Sequence, residues 1–354
     1  MTIGAGFTHV SAGSFHTLAI YRGKLYSWGS GGSGQLGLGD SLGRNTPTLV
    51  TPFTDWESVF AGPSASFAIR GGQLFAWGEN SYGQLGLGDT SCREVPVRVG
   101  VSSGWEKVSA SDYRTFAIRN GELWGWGRDV WGKLGTGNPF LQREPVRVGS
   151  FSDWVDVSAG GSHTLAVRRN GELWCFGRNS SGQLGLGASK TRLKPTIKPV
   201  LIKGRSDWAK VSAGWEHSFA ITKSGELFSW GSNSLQQLGH GGEFPIYYEP
   251  TRVGSRFDWE SISAFPPIAI ANGSLFAWCE VVVSMFPGVS LKDRSGPVRV
   301  SDSFDWKSVS GGMWHVAALK EGRLFIWGMN LDGQLGLSDF RERNTPTEVN
   351  IHDE

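Results

Sequence analysis

Cysteine is scarce in this chain: three residues, Cys92, Cys175 and Cys279, odd in number and far apart. That excludes a disulfide framework and a CxxC metal knuckle, and it favours a reducing compartment. Charge of one sign is lacking too, since 34 basic against 32 acidic residues leave a formal charge of +2. No global field therefore points to nucleic acid or to an anionic membrane. No apolar run approaches the ~18 residues of a membrane span. Met1 to Val10 shows neither a basic start nor an apolar stretch, so no secretory signal is expected. HExxH, GxSxG, a phosphate-binding P-loop and paired carboxylates at catalytic spacing are all missing, which leaves no enzyme class a foothold. What the chain has in plenty is glycine, 51 of 354 residues and about twice the usual share, together with 17 tryptophans and 20 phenylalanines. That much aromatic bulk excludes disorder.

These residues recur with a period near 49. The segment LYSWG at 25–29 returns as LFAWG, LWGWG, LWCFG, LFSWG, LFAWC and LFIWG, with its fourth residue at Trp28, Trp77, Trp126, Phe176, Trp230, Trp278 and Trp327. A second tryptophan opens a DWxxVSAG-like string at Trp56, Trp105, Trp154, Trp208, Trp259 and Trp306, with Phe7 in the same place in the first copy. A proline follows the first marker at Pro47, Pro96, Pro145, Pro195, Pro250, Pro297 and Pro346. Seven copies result, at approximately 5–52, 54–101, 103–150, 152–204, 206–255, 257–302 and 304–351.

Each copy reads as short strands. In LYSWG the two aromatics stand at i and i+2 on one strand face, while leucine and a small residue share the other. A strand apolar on both faces must be covered on both sides. With four such runs per copy and turn signals between them, the expected fold is all-β: a seven-bladed β-propeller of four-stranded antiparallel blades, forming one domain over 1–354. The recurrent GQLGLG string (at Gly34, Gly83 and Gly182) is not the GxGxxG of a dinucleotide site and precedes no helix, so its glycines are assigned to a tight loop between the third and fourth strands.

Taken together, DWxxVSAGxxHTLAI, GELWxWG, NSxGQLGLGD and PxxV resemble the regulator of chromosome condensation repeat family over essentially the whole chain. The resemblance independently implies a seven-bladed propeller. Its functions are diverse: the founding member is a nucleotide exchange factor for a small GTPase on chromatin, a plant relative is an ultraviolet-B photoreceptor, and others are interaction domains in larger proteins. The photoreceptor carries tandem GWRHT copies, to which only GWEHS at 214–218 comes near here, so light sensing is not expected. A basic N-terminal tail and a wedge-like insertion in blades one to three, which an exchange factor would use, are not seen.

His16, His163, His217 and His315 recur at the start of the second strand, with Ala65 and Arg114 in their place in copies two and three; they are read as bonds tying each blade to the next, not as metal ligands. Arg98, Arg147, Lys198, Arg252 and Arg299 are read as cations guarding the outermost strand. The first interstrand loops carry large aromatics, notably Trp215 and Trp314, without a backbone reason for them. Copy six breaks the pattern: Phe265 and two prolines stand where AGxxH would be, and Val281, Val282, Val283, Met285 and Phe286 replace GQLGLG. An apolar string in a solvent loop marks a contact surface, so these residues, rimmed by Trp215 and Trp314, form the expected protein-binding site. Lys190, Arg192, Lys194, Lys198, Lys203 and Arg205 form a stretch without acids that would suit an acidic partner, and include most of an insertion placed between Pro195 and Trp208. The reading is a non-enzymatic, intracellular propeller, cytoplasmic or nuclear, that binds protein as a scaffold or as part of a larger assembly such as a cellular complex or a virion. The alternatives are a guanine nucleotide exchange factor for a small GTPase or a chromatin-associated propeller. No cofactor, metal or membrane is expected, and nucleic acid is not the favoured partner.

Overall fold

The computed structural model describes residues 6–130, 132–138, 140–189, 193–241, 244–279, 296–301 and 303–351. They form seven four-stranded antiparallel sheets, each built from consecutive strands in the order 1-2-3-4. Blade one is typical, with strands Phe7–Ala12, His16–Tyr21, Lys24–Gly29 and Arg44–Leu49. First strands of neighbouring blades pack on one another, so they line a central channel, and the fourth strands form the rim. The ladder slips by one residue just after the tryptophan that opens the first strand, for example between Trp56 and Ser58 and between Trp154 and Asp156. Such a bulge adds the twist that a blade needs. Among the described residues no helix is long and apolar enough to cross a membrane.

The core lies between blades. Leu18, Ile20 and Leu25 of blade one pack against Trp56, Val59, Ala68 and Trp77 of blade two. Second strands are apolar on both faces because a neighbouring sheet covers each one. The glycine-rich loop supplies the polar part of the same junction. The Gln35 carbonyl accepts the Trp77 indole N–H at 2.9 Å and the Ser66 hydroxyl at 2.7 Å. Gln84 serves Trp126 and Thr115, Gln183 serves Trp230 and Ser218, and Gln334 serves Trp28 and Thr17 in the same way. Gly37, at φ +73°, must be glycine because a Cβ there would stand 2.8 Å from the Trp77 indole nitrogen. The loop is a socket for the next blade's tryptophan.

Two further rings of bonds circle the channel. Seryl hydroxyls on the first strands accept a backbone N–H from the next blade: Ser11 from Ala61, Ser109 from Ala159, Ser158 from Ala213, Ser212 from Ala264, Ser263 from Gly311 and Ser310 from Ala12. The histidines form the other. His16 meets Ser66 at 2.9 Å, His163 meets Ser218 at 2.7 Å, His217 meets the Ala264 carbonyl at 2.9 Å and His315 meets Thr17 at 2.9 Å. Blade two has Phe60 and Ala65 at the two positions, so its junction with blade three lacks both kinds of bond. Burial lowers all four histidines, His16 and His217 to about 4, His315 to about 3, and His163 well below its ordinary value. They are neutral at pH 7. The last blade closes on the first without exchanging a strand, through Ser310, His315 and the Met313 N–H, which donates to the Gly13 carbonyl.

Candidate protein-binding face

Antiparallel order places the loops after the first and third strands on one face, here called upper, and those after the second and fourth on the lower face. The first-strand loops crowd the upper channel mouth into a bowl of about 230 Å³, lined in part by Gly13, Asp112, Gly161, Trp215, Phe265 and Met313. Bowl and rim are set by backbone. The Gly161 N–H donates to the Gly214 carbonyl, and the Ser162 hydroxyl donates to the Trp215 carbonyl at 2.9 Å. A Cβ on Gly161 would come within 3.2 Å of the Trp215 ring, so the indole lies over a residue with no side chain.

Trp215 and Phe265 come together, their rings 6.4 Å apart and steeply inclined. Trp314 occupies the corresponding loop of blade seven, next to Met313 but outside the bowl itself. All three aromatics are exposed. Val281, Val282, Val283, Met285 and Phe286 lie outside the described residues. Leu42, Phe140, Leu235, Phe244, Leu331 and Phe340 are further exposed apolar groups on upper loops, whereas the lower loops expose only Phe53, Val101, Phe257 and Phe304 among the described residues.

Sequence reasoning missed a second cluster on this face. Tyr82 and Tyr113 pack tilted against each other with centroids 4.6 Å apart, and the Arg128 guanidinium covers both, at 4.9 and 5.8 Å. The signal available was that all three stand at variable positions of the repeat. Nearby, Arg178 pairs with Glu216 at 3.1 Å, and the Ser181 hydroxyl donates to the same carboxylate.

The basic stretch needs correction. Trp174 pairs with Leu201 as Tyr26 pairs with Leu49, so Pro199, not Pro195, matches Pro47. The insertion therefore precedes the fourth strand, in an upper loop, instead of following it. Lys190 and Arg192 lie outside the described residues. Lys194 is exposed before the strand, Lys198 is exposed on it, and Lys203 and Arg205 are on the lower loop beyond. The four described residues do not form one patch. Arg205 is engaged by Asp207 and Glu226 and lies over Phe228. The same register removes Lys198 from the outer arginine series. The true members clasp the following loop: Arg98 donates to the Val101 carbonyl at 2.7 Å, Arg147 to the Ser150 carbonyl at 3.0 Å, Arg252 to the Ser255 carbonyl at 3.1 Å, and Arg299 covers Phe304.

Comparison with known proteins matches the model described as "Regulator of chromosome condensation (RCC1) repeat" at 22–69, 71–118, 120–167, 170–221, 224–277 and 321–353. A second model of the same description matches 7–35, 154–183 and 208–237. None of these spans includes 278–320. The mitochondrial RCC1 domain-containing protein RUG3 of Arabidopsis thaliana is 31% identical over 151 residues, 40% of this chain and 34% of that protein. The ultraviolet-B receptor UVR8 of the same plant is 30% identical over 195 residues, 52% of this chain and 43% of the receptor. The probable E3 ubiquitin-protein ligase HERC6 of Homo sapiens is 32% identical over 157 residues, 40% of this chain but only 15% of the ligase. The chain thus spans less than half the length of each of these relatives. Among solved structures, yeast RCC1 (Prp20), determined bound to Kap60, superposes with a TM-score of 0.79 at 21% identity, covering 93% of this chain and 84% of that one. Human WBSCR16 gives 0.63 at 20%, covering 98% and 82%. These two likenesses are of fold.

Proposed function

The chain belongs to the regulator of chromosome condensation repeat family, and on that premise we propose that it is a non-enzymatic propeller that binds a protein partner on its upper face, as a scaffold or assembly component. One observation carries the reading: exposed aromatic and aliphatic side chains concentrate on the upper loops, and Trp215 and Phe265 meet beside the channel mouth. Large rings at the edge of a concave surface are what protein contacts draw their binding energy from. A non-catalytic role is supported by the use made of the interior histidines, each of which is engaged in a junction between blades.

The test is capture from a cell extract by the wild-type chain and by Trp215→Ala combined with Trp314→Ala, with Phe257→Ala on the lower face as control. The upper-face variant should keep its melting temperature and lose its principal partner, while the control keeps both. Normal folding with undiminished capture would remove the upper face from consideration. A second reading, nucleotide exchange on a small GTPase, rests on the family resemblance. It predicts accelerated release of fluorescent GDP from a captured GTPase, and no acceleration removes it.

A further inference from the structure

Blade three departs from its neighbours at three adjoining positions. Blade four carries His163, Asn179 and Gln183, all neutral, where blade three carries Arg114, Asp129 and Lys133. Arg114 is buried and donates from Nη2 to the carbonyls of Gly160, at 2.6 Å, and His163, at 3.2 Å. Its Nη1 reaches the Gly161 carbonyl at 3.5 Å, and Lys133 Nζ donates to that same oxygen at 3.1 Å. Two cations therefore converge on one oxygen at the edge of the channel mouth. Asp129 accepts the Leu134 N–H through Oδ1, while its buried Oδ2 has no partner among the described residues. Lys133 also feels Asp112, Arg178 and Arg128, and His163 faces the cluster as a neutral ring.

We propose that Lys133 is an acylation site, whose amine takes the acyl group of an acyl thioester. The neutral amine attacks the thioester carbonyl carbon; the C–N bond forms, the C–S bond breaks, the thiolate leaves, and the amine's surplus proton passes to solvent. Desolvation first and the Arg114 charge second hold the ammonium down to about 8. A lysine beside another cation is a recognised way to make a nucleophile. At pH 7.5 the neutral fraction is on the order of 200-fold above that of an ordinary lysine. A less basic amine is intrinsically slower, so only part of that advantage survives. The product has a stated consequence. Acylation discharges Lys133 and leaves an amide, the chemistry that Gln35, Gln84, Gln183, Gln237 and Gln334 already place at this position in other blades.

The test exposes the folded chain to acetyl-coenzyme A and, separately, to the neutral thioester S-acetyl-N-acetylcysteamine, and follows each lysine by peptide mass spectrometry between pH 6.5 and 9. Lys133 should be modified several-fold faster than exposed Lys194, Lys203 and Lys307 with both reagents. Its rate should level off near pH 8 while theirs keep rising. Arg114→His, which restores the residue of blade four, should slow Lys133 several-fold and leave the other lysines unchanged. Modification of wild-type Lys133 no faster than of those three overturns the proposal, as does a folded Arg114→His variant with an unaltered rate. If that variant fails to fold, the wild-type rates and pH profile decide.

Discussion

On the lower face Phe53 lies under the Arg70 guanidinium at 3.7 Å, Phe151 under Arg168 at 3.8 Å and Phe304 under Arg299 at 4.3 Å, whereas on the upper face Trp215, Phe265 and Trp314 meet solvent. The lower cations are themselves held, Arg70 by Asp55 at 2.5 Å and Arg168 by Asp153 and Glu172 at 2.8 and 2.6 Å. One repeat geometry produces both faces. A second strand ending in arginine, as at Arg70 and Arg168, or a fourth strand ending in one, as at Arg299, brings a guanidinium to the lower loops, so an aromatic beneath it becomes part of the fold. Upper loops are fixed by backbone bonds and glycines and need no ring to hold them. The arginine-covered rings Phe53, Phe151 and Phe304 of the lower face are thus read as structure, and Trp215, Phe265 and Trp314 of the upper face as surface offered to a partner.

Acidification should break this contrast most strongly. Unfolded histidine titrates near 6.5, and the native values are far lower, so the unfolded state binds more protons between about pH 6.5 and pH 4. Stability is complete above that window and falls as pH drops through it, by roughly 2 kcal/mol per histidine at pH 5 and several kcal/mol for the four. Urea midpoints at pH 7 and pH 5 measure the loss. Because these histidines staple the upper loops, amide exchange should quicken there first; simultaneous loss on both faces would contradict the arrangement. Next in size, Trp126→Ala removes the ring that packs against Trp105 and donates to the Gln84 carbonyl, and should cost about 3–5 kcal/mol by denaturant melt. Arg168→Ala uncovers Phe151 and frees two carboxylates, for about 1–2 kcal/mol, since exposed pairs and cation–ring contacts are each worth less than ~1. Trp215→Ala should change stability by under ~0.5 kcal/mol while abolishing capture. A large destabilisation there would make the upper ring a structural lid and erase the difference between faces.

Seven blades could be read from aromatic residues spaced near 49 residues, because such a ring in each third strand must be buried by the preceding blade. The histidine bonds were legible for the same reason: a polar residue recurring inside an apolar strand must find a fixed partner. Blade four shows where spacing fails. Pro195 and Pro199 both fit a proline marker, and only the pairing of Trp174 with Leu201 selects the second, moving the basic insertion to the other face. Periodicity also hid the charged trio of blade three, whose members stand far apart in the chain and meet only when the third strand returns beside the second.

The junction between blades two and three, where Phe60 and Ala65 supply neither the seryl nor the histidyl bond, has a mechanical consequence. A closed ring under thermal or applied load parts at its weakest seam, wherever its chain happens to be joined. The seam between blades seven and one carries both kinds of bond, so the ring should breathe like a split washer cut between blades two and three, with the covalent connection there acting as the hinge.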